Sequence, residues 1–239
     1  MTTLEQAIGH SQHRNPLSRI MGQQVFWVFL AAVIACVTLS LITDTFATER
    51  NLFNVTRNFA FVGIIAIGMM VVIASGGIDL SVGASVVLSA VVIGATMEQG
   101  WPLWAGIVFA LGAALIVGLV NGLLIAFLGM PPFVVTLGML SFARSMALVL
   151  SNNKMIYEFG PDHELLLALG GGSTFGLPHP LIVMVILAVI MGFILKWTRW
   201  GQHIFAIGGN ESASILTGIS VRGMKVSVYM FSAFTAGLA

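Results

Sequence analysis

Three short segments hold most of the residues that could do chemistry. The first is Ser75-Gly76-Gly77-Ile78-Asp79-Leu80-Ser81-Val82-Gly83-Ala84, with one carboxylate among glycines and serines inside an apolar run. Paired glycines at the end of such a run suit the left-handed conformation that closes a helix. Asp79 then stands where an N-cap belongs, its carboxylate toward the free N–H groups of the next helix. The segment predicts a tight helix reversal. Two readings stay open. Either Asp79 only caps, or unwound backbone from Gly76 to Ser81 lines a polar cavity.

The second feature is Arg144, a lone charge inside an apolar stretch. Such a charge snorkels to an interface, pairs within the bundle, or faces a pathway. Asn121 is a weaker polar feature of the same kind, best explained by a hydrogen bond between helices. The third segment is Lys196–Lys225, holding Gly208-Gly209-Asn210-Glu211-Ser212-Ala213 and Leu216-Thr217-Gly218-Ile219. Asn210 is a natural N-cap, Glu211 suits a first helical turn, and Gly218 suits a stop. A helix of about two turns fits between them and is marginal alone in water. It is either a folded loop or a docking element.

The elements that position these residues follow from composition. The chain has 239 residues, 58% hydrophobic and only 8% charged, with a net charge of +1. Soluble domains carry roughly 25% charged residues. So few charges cannot cover a soluble globule, which excludes an ordinary cytosolic enzyme, a disordered chain and a nucleic-acid binder. One cysteine, Cys36, allows no internal disulfide. The fold class is all-α, a polytopic helical membrane protein.

About 20 apolar residues cross a bilayer, so charge-free intervals mark the spans. These are Ile20–Thr43, Asn58–Ile78, Leu80–Met97, Trp101–Leu128, Phe133–Leu150, Pro180–Leu195 and an incomplete seventh from Val226 to Ala239. Pro131-Pro132 separates the fourth from the fifth. With the N-terminus inside, Arg14, Arg19, Lys196, Arg199, Arg222 and Lys225 are cytoplasmic, and Arg50, Arg57 and Lys154 lie outside. Residues 1–23 form a cytoplasmic N-terminal segment and 24–239 the transmembrane domain, with Lys196–Lys225 as its cytoplasmic loop and Ser151–His179 outside. Gly118-Leu-Val-Asn-Gly122, and more loosely Ala90–Gly94, predict close helix packing. Several chemistries are missing from the sequence. There is no P-loop, and Gly170-Gly171-Gly172-Ser-Thr-Phe-Gly176 is no dinucleotide fingerprint but an external loop. All five histidines lie outside the spans.

Three motifs, in order and spacing, resemble a known family. They are Gly76–Gly83, then Pro132-Phe-Val-Val-Thr-Leu-Gly-Met139, then Ala206-Ile-Gly-Gly-Asn-Glu211 with Leu216–Ile219. Asn51-Leu-Phe-Asn54 and Thr198-Arg-Trp-Gly201 fit as well. Over about residues 45–239 the chain resembles the permease subunit of bacterial ABC importers for monosaccharides, of the ribose/xylose/galactoside type. The resemblance implies no cofactor on this chain. ATP and Mg belong to a separate ABC ATPase subunit, a periplasmic sugar-binding protein delivers cargo, and a second permease chain completes the pathway in the bacterial inner membrane. It also implies that Gly208, Gly209, Asn210, Glu211, Ala213, Leu216 and Gly218 belong to the region that docks on the ATPase. Members usually run on for several more spans, so the expectation is a C-terminally truncated permease domain. The alternatives are an ion-coupled transporter with Asp79 as its coupling acid, or a membrane scaffold that does not transport.

Overall fold

The computed structural model describes residues 23–157 and 159–239. Residues 1–22, with His10, His13, Arg14 and Arg19, lie outside the described residues, as does Glu158. The helices are α1 (Gln24–Ile42), α2 (Glu49–Ala74), α3 (Val82–Glu98), α4 (Leu103–Phe127), α5 (Pro132–Leu150), α6 (His163–Gly171), α7 (His179–Trp197), α8 (Arg199–Gly209), α9 (Glu211–Leu216) and α10 (Val221–Leu238). A hairpin of two-residue strands, β1 (Ser173–Thr174) and β2 (Leu177–Pro178), links α6 to α7. Two compact units are present, one ending at Asn54 and the other Val55–Ala239.

The all-α expectation holds. Among the described residues, α1, α2, α4, α5 and α7 are long and apolar enough to span a bilayer. α2 differs from the expected Asn58–Ile78: it starts nine residues earlier, at Glu49, taking Arg50 and Arg57 into the helix, and stops four residues earlier, at Ala74. The other two expected spans differ as well. α3 has 17 residues, because the chain stays irregular as far as Ser81. α10 starts at Val221, five residues before the expected Val226, and takes Arg222 and Lys225 into its first turns. The expected loop Ser151–His179 holds α6 and the hairpin, with Gly170 and Gly171 in the last turn of α6. Lys196–Lys225 is almost wholly helical, since α7 runs to Trp197 and α8 fills most of what looks like loop.

Helix ends follow their residues. Pro132 sits in the first turn of α5, where its missing N–H costs nothing. α2 stops at a left-handed Gly76 (φ +80°), with Gly76 N–H donating to Ile73 O and Gly77 N–H to Val72 O, both at 2.9 Å. That pair of bonds is the glycine stop predicted for this run. Gly77 is not left-handed, so one glycine of the two does the work.

In the second unit α10 lies closest to α4, and α3 packs on α4 and α5. A core of Val71, Val72, Ile125, Met191, Val228 and Tyr229 joins α2, α4, α7 and α10. A second, of Ala84, Leu88, Val117, Met139 and Ala143, joins α3, α4 and α5. The Gly118/Gly122 face is the α4–α10 seam. A Cβ on Gly118 would stand 2.6 Å from Tyr229 O and 2.7 Å from Met230 Cα, and one on Gly122 2.7 Å from Val226 Cα. In lipid, where apolar burial drives little association, such close backbone approach is what holds helices together.

Gly118→Ala and Gly122→Ala are therefore expected to destabilise by about 1–3 kcal/mol each through overpacking. Gly112→Ala, on the same helix with open space at its Cβ, should be neutral or gain up to ~1 kcal/mol from helix propensity. Melting midpoints of the three variants in detergent check this. Equal midpoints would remove the seam.

Candidate functional site

The reversal between α2 and α3 exposes Gly76 and Ile78 but buries its polar side chains, which are tied together. Asp79 and Ser81 are each 1% exposed, and Asn121 and Ser232 are 0%. Ser81 donates to Asp79 Oδ1 twice, from N–H at 3.0 Å and from Oγ at 2.6 Å. Ser232 Oγ of α10 donates to Oδ2 at 2.8 Å. Asn121 Nδ2 of α4 donates to Ser81 Oγ at 2.9 Å. Tyr229 donates to Ile78 O at 3.3 Å, its hydroxyl standing against Gly77, where a Cβ would meet it. Among the described residues the carboxylate has no cation beside it. The ion pair among the described residues is Lys225–Glu211, elsewhere. Charge-assisted hydrogen bonds and the N-terminal dipole of α3 hold Asp79 instead.

Asp79 is not the N-cap of α3 but stands two residues before it. It takes the N–H of Ser81, while α3 proper starts at Val82 with Ser81 in the cap position. The knot is also deep. Asn121 lies six residues inside α4 and Ser232 eleven inside α10, about 9 and 16 Å along their axes at 1.5 Å per residue. Irregular backbone at such depth survives where it is buried in protein or lines a water-filled cavity, and here the polar side chains are buried while Gly76 and Ile78 are exposed. Gly76, Gly77, Asp79, Ser81 and Asn121 are brought together as one cluster. Arg144 is not part of it.

Arg144 is exposed on α5 and has no bonded partner among the described residues. It lines a cleft of about 450 Å³ between α3 and α5, with Gly83, Val87, Val91, Leu140 and Ser151. An unpaired arginine on a membrane span is stable where water or a polar partner reaches it.

The third group forms a capped platform. Asn210 ends α8 and starts α9, its Oδ1 accepting from Ala213 N–H at 3.0 Å. α9 ends at a left-handed Gly218 (φ +82°), with Gly218 N–H donating to Ile215 O and Ile219 N–H to Ser214 O. Both predicted caps are where the spacing puts them. Glu211 accepts from Lys225 Nζ at 2.7 Å, fastening α9 to α10. Gly208 abuts the last turn of α2, leaving no room for a Cβ beside Ala74 O, whereas Gly209 faces open space. Ser214 is buried, but Ala213, Ile215 and Leu216 are exposed, Leu216 at 89%.

Sequence reasoning missed α8 and the polar side chains of α10. α8 is legible as Trp200, Ile204 and Ile207, a helical stripe against Arg199, Gln202 and His203. Its Trp200 Nε1 donates to Ser227 Oγ at 2.9 Å. Ser232 and Thr235 are spaced i, i+3 on one face of α10.

Asp79→Asn keeps the shape but replaces one acceptor oxygen by a donor. It is expected to cost about 1–3 kcal/mol, as is Ser232→Ala. The double variant should cost less than the sum, because both break one bond. Unfolding in detergent measures all three. Strict additivity would separate the two side chains.

Comparison with known proteins places this arrangement. The chain is 35% identical over 211 residues to the ribose import permease protein of Bacillus subtilis, covering 88% of this chain and 65% of that protein. It is 33% identical over 212 residues to the L-arabinose ABC transporter permease protein of Azospirillum brasilense, 89% of this chain and 62% of that one. It is 30% identical over 244 residues to the fructose import permease protein of Rhizobium meliloti, 99% and 66%. The chain thus spans 62 to 66% of the length of these relatives. No solved structure matches. The relatives bear out the resemblance read from the three motifs, and with residues 51–239 matching throughout, the chain belongs to the family described as branched-chain amino acid transport system / permease component.

Proposed function

We propose that this chain is a membrane-spanning subunit of an ATP-driven monosaccharide importer, and not an enzyme. The observation that carries the reading is α9. A six-residue helix is too short to persist alone, yet it is capped at both ends, clamped to α10 and tipped with exposed apolar side chains. That combination suits rigid docking on a partner surface. The partner is a separate ABC ATPase subunit, which binds ATP and Mg. A periplasmic sugar-binding protein and a second permease chain complete the system in the bacterial inner membrane, with the N-terminus and α8–α9 on the cytoplasmic side.

Cargo class comes from the relatives, whose names are those of ribose, L-arabinose and fructose permeases. The family description names branched-chain amino acids, so leucine belongs in the cargo panel beside the pentoses and hexoses. Arg144 and its cleft are the pathway wall in this reading. A guanidinium with free N–H groups can donate to sugar hydroxyls as they shed water. An ion-coupled transporter finds no support among the relatives, and hydroxyl donors already occupy both oxygens of Asp79.

Two outcomes follow. Ala213→Glu puts a carboxylate into the docking surface, where an unpaired buried charge costs on the order of 3 kcal/mol, about 100-fold in association. Pull-down of the ATPase subunit by the assembled permease should fall accordingly, while membrane insertion is unchanged. Equal recovery would take α9 out of the interface. Arg144→Gln should lower sugar uptake at normal expression, and Arg144→Lys should restore part of it. Unchanged uptake in Arg144→Gln would move the pathway off this cleft.

A further inference from the structure

The β1–β2 hairpin places an aromatic residue where its turn least favours one. Thr174 pairs with Leu177, so the turn is the two residues Phe175-Gly176. Both are left-handed, Phe175 at φ +53° and Gly176 at +78°. Turns of this kind call for Asn, Asp or Gly, and a bulky side chain at positive φ is an outlier. Phe175 is also 100% exposed, more than any other large apolar side chain among the described residues.

The turn is held from behind. His179 Nε2 bonds Thr174 Oγ1 at 2.9 Å, its Nδ1 bonds Ala168 O at 2.7 Å, and its N–H donates to Gly172 O at 3.0 Å. One side chain thus fixes the hairpin to α6 and to the first residue of α7. The ring is presented, not left loose.

The position of the hairpin follows from α7. Its 19 residues are about 28 Å long, close to the ~30 Å hydrocarbon thickness, so the whole helix is needed to cross. His179 therefore stands at the hydrocarbon boundary. Phe175 is four residues earlier, within about 10–13 Å of it at ~3.3 Å per extended residue. Composition identifies what covers the ring. From Leu165 to Leu195 there is no Asp, Glu, Lys or Arg, so the hairpin and α6 beyond its first turn, which holds Glu164, extend the same charge-free run as the span; the charge beside them among the described residues is Arg57 of α2, its Nη1 3.6 Å from where a Cβ on Gly171 would stand. Leu165, Leu169 and Leu177 are half-exposed beside it. A docking surface for a soluble protein has a polar, charged rim, whereas an apolar surface with an aromatic tip and a single nearby arginine at a span end has the composition of a membrane interface.

We propose that Phe175 is an interfacial anchor, its ring inserted at the boundary between lipid headgroups and acyl chains, keeping α6 and the hairpin against the bilayer. Burial of the ring in lipid offsets the backbone strain. The inference does not depend on the cargo or on ATP.

The test is a spin label in a lipid bilayer. With Cys36→Ser as background, Phe175→Cys and, as an aqueous reference, Asn153→Cys are labelled in the full chain reconstituted in phosphatidylethanolamine/phosphatidylglycerol vesicles. Collision with oxygen, which concentrates in lipid, is compared with collision with a water-soluble nickel chelate. At 175 the ratio should favour oxygen, and at 153 nickel. A second label, at Leu177→Cys, should shift toward nickel when Phe175→Asn is added, since Asn suits the turn and keeps the hairpin but gives no anchor. A nickel-favoured label at 175 overturns the proposal. So does a label shielded from both reagents, in vesicles alone or only after the periplasmic binding protein is added, since either places the ring against protein. An unmoved Leu177 label overturns the anchoring role.

Discussion

A carboxylate buried without a counter-charge sets the terms for the second unit. The break between α2 and α3 puts backbone outside the helical ladder and the buried Asp79 among apolar helices. Each polar group left unmatched there costs about 1–3 kcal/mol. The donors must come from other helices at short range, which forces α4 and α10 close. Gly118 and Gly122 permit that approach, and Ser232 and Asn121 use it. The small-residue face and the polar knot are two parts of one requirement. Asn121 Oδ1 is the one buried side-chain atom among the described residues left without a partner.

The same requirement makes α10 a shared element. At its start Lys225 holds α9, and Trp200 of α8 bonds Ser227. Further along, Tyr229 and Ser232 hold the reversal. A helix bonded at intervals along its length moves as a body. Gly208 closes the circuit from the other side by resting against the last turn of α2. The platform and the knot are therefore mechanically continuous, through one helix and one backbone contact.

What the sequence revealed, and what it hid, divides along physical lines. Local chemistry was legible. Asn210, Gly218, Gly76 and Pro132 act on their own neighbours, and their caps and stops fall within a residue of the expected places. Non-local chemistry was not. Ser232 is 153 residues from Asp79, and no local pattern tells a serine that bonds a carboxylate from one that bonds its own helix, as Ser85 does. Charge-free intervals found the spans but misplaced several ends: α2 starts at Glu49, nine residues before Asn58, because a helix runs on through Arg50 and Arg57, and it stops four residues before Ile78 at the glycine turn. Asp79 stands inside the protein, not at the water boundary, so α3 starts late, and Arg222 and Lys225 were read as loop when they belong to a helix. α8 was missed because its polar face resembles a connector.

Asp79 and Arg144, the two charges read as intramembrane, show why charge alone does not locate a pathway. Both are single ionisable residues in apolar runs, and sequence treats them alike. The fold does not. Asp79 is nearly fully buried, and both its oxygens accept hydrogen bonds from hydroxyl or amide donors of the chain. Burial, more than its three hydrogen bonds, closes it to a solute. Arg144 is exposed and unbonded, on a cleft walled by Gly83, Val87 and Val91. Glycine and valines offer a guanidinium no acceptor, so Arg144 is met by water or by a polar partner, with Ser151 on the same cleft. The carboxylate works inward, holding the bundle together. The guanidinium faces outward on α5, apart from the glycine-rich reversal that first draws the eye, so one pattern in the sequence leads to opposite surroundings in the fold.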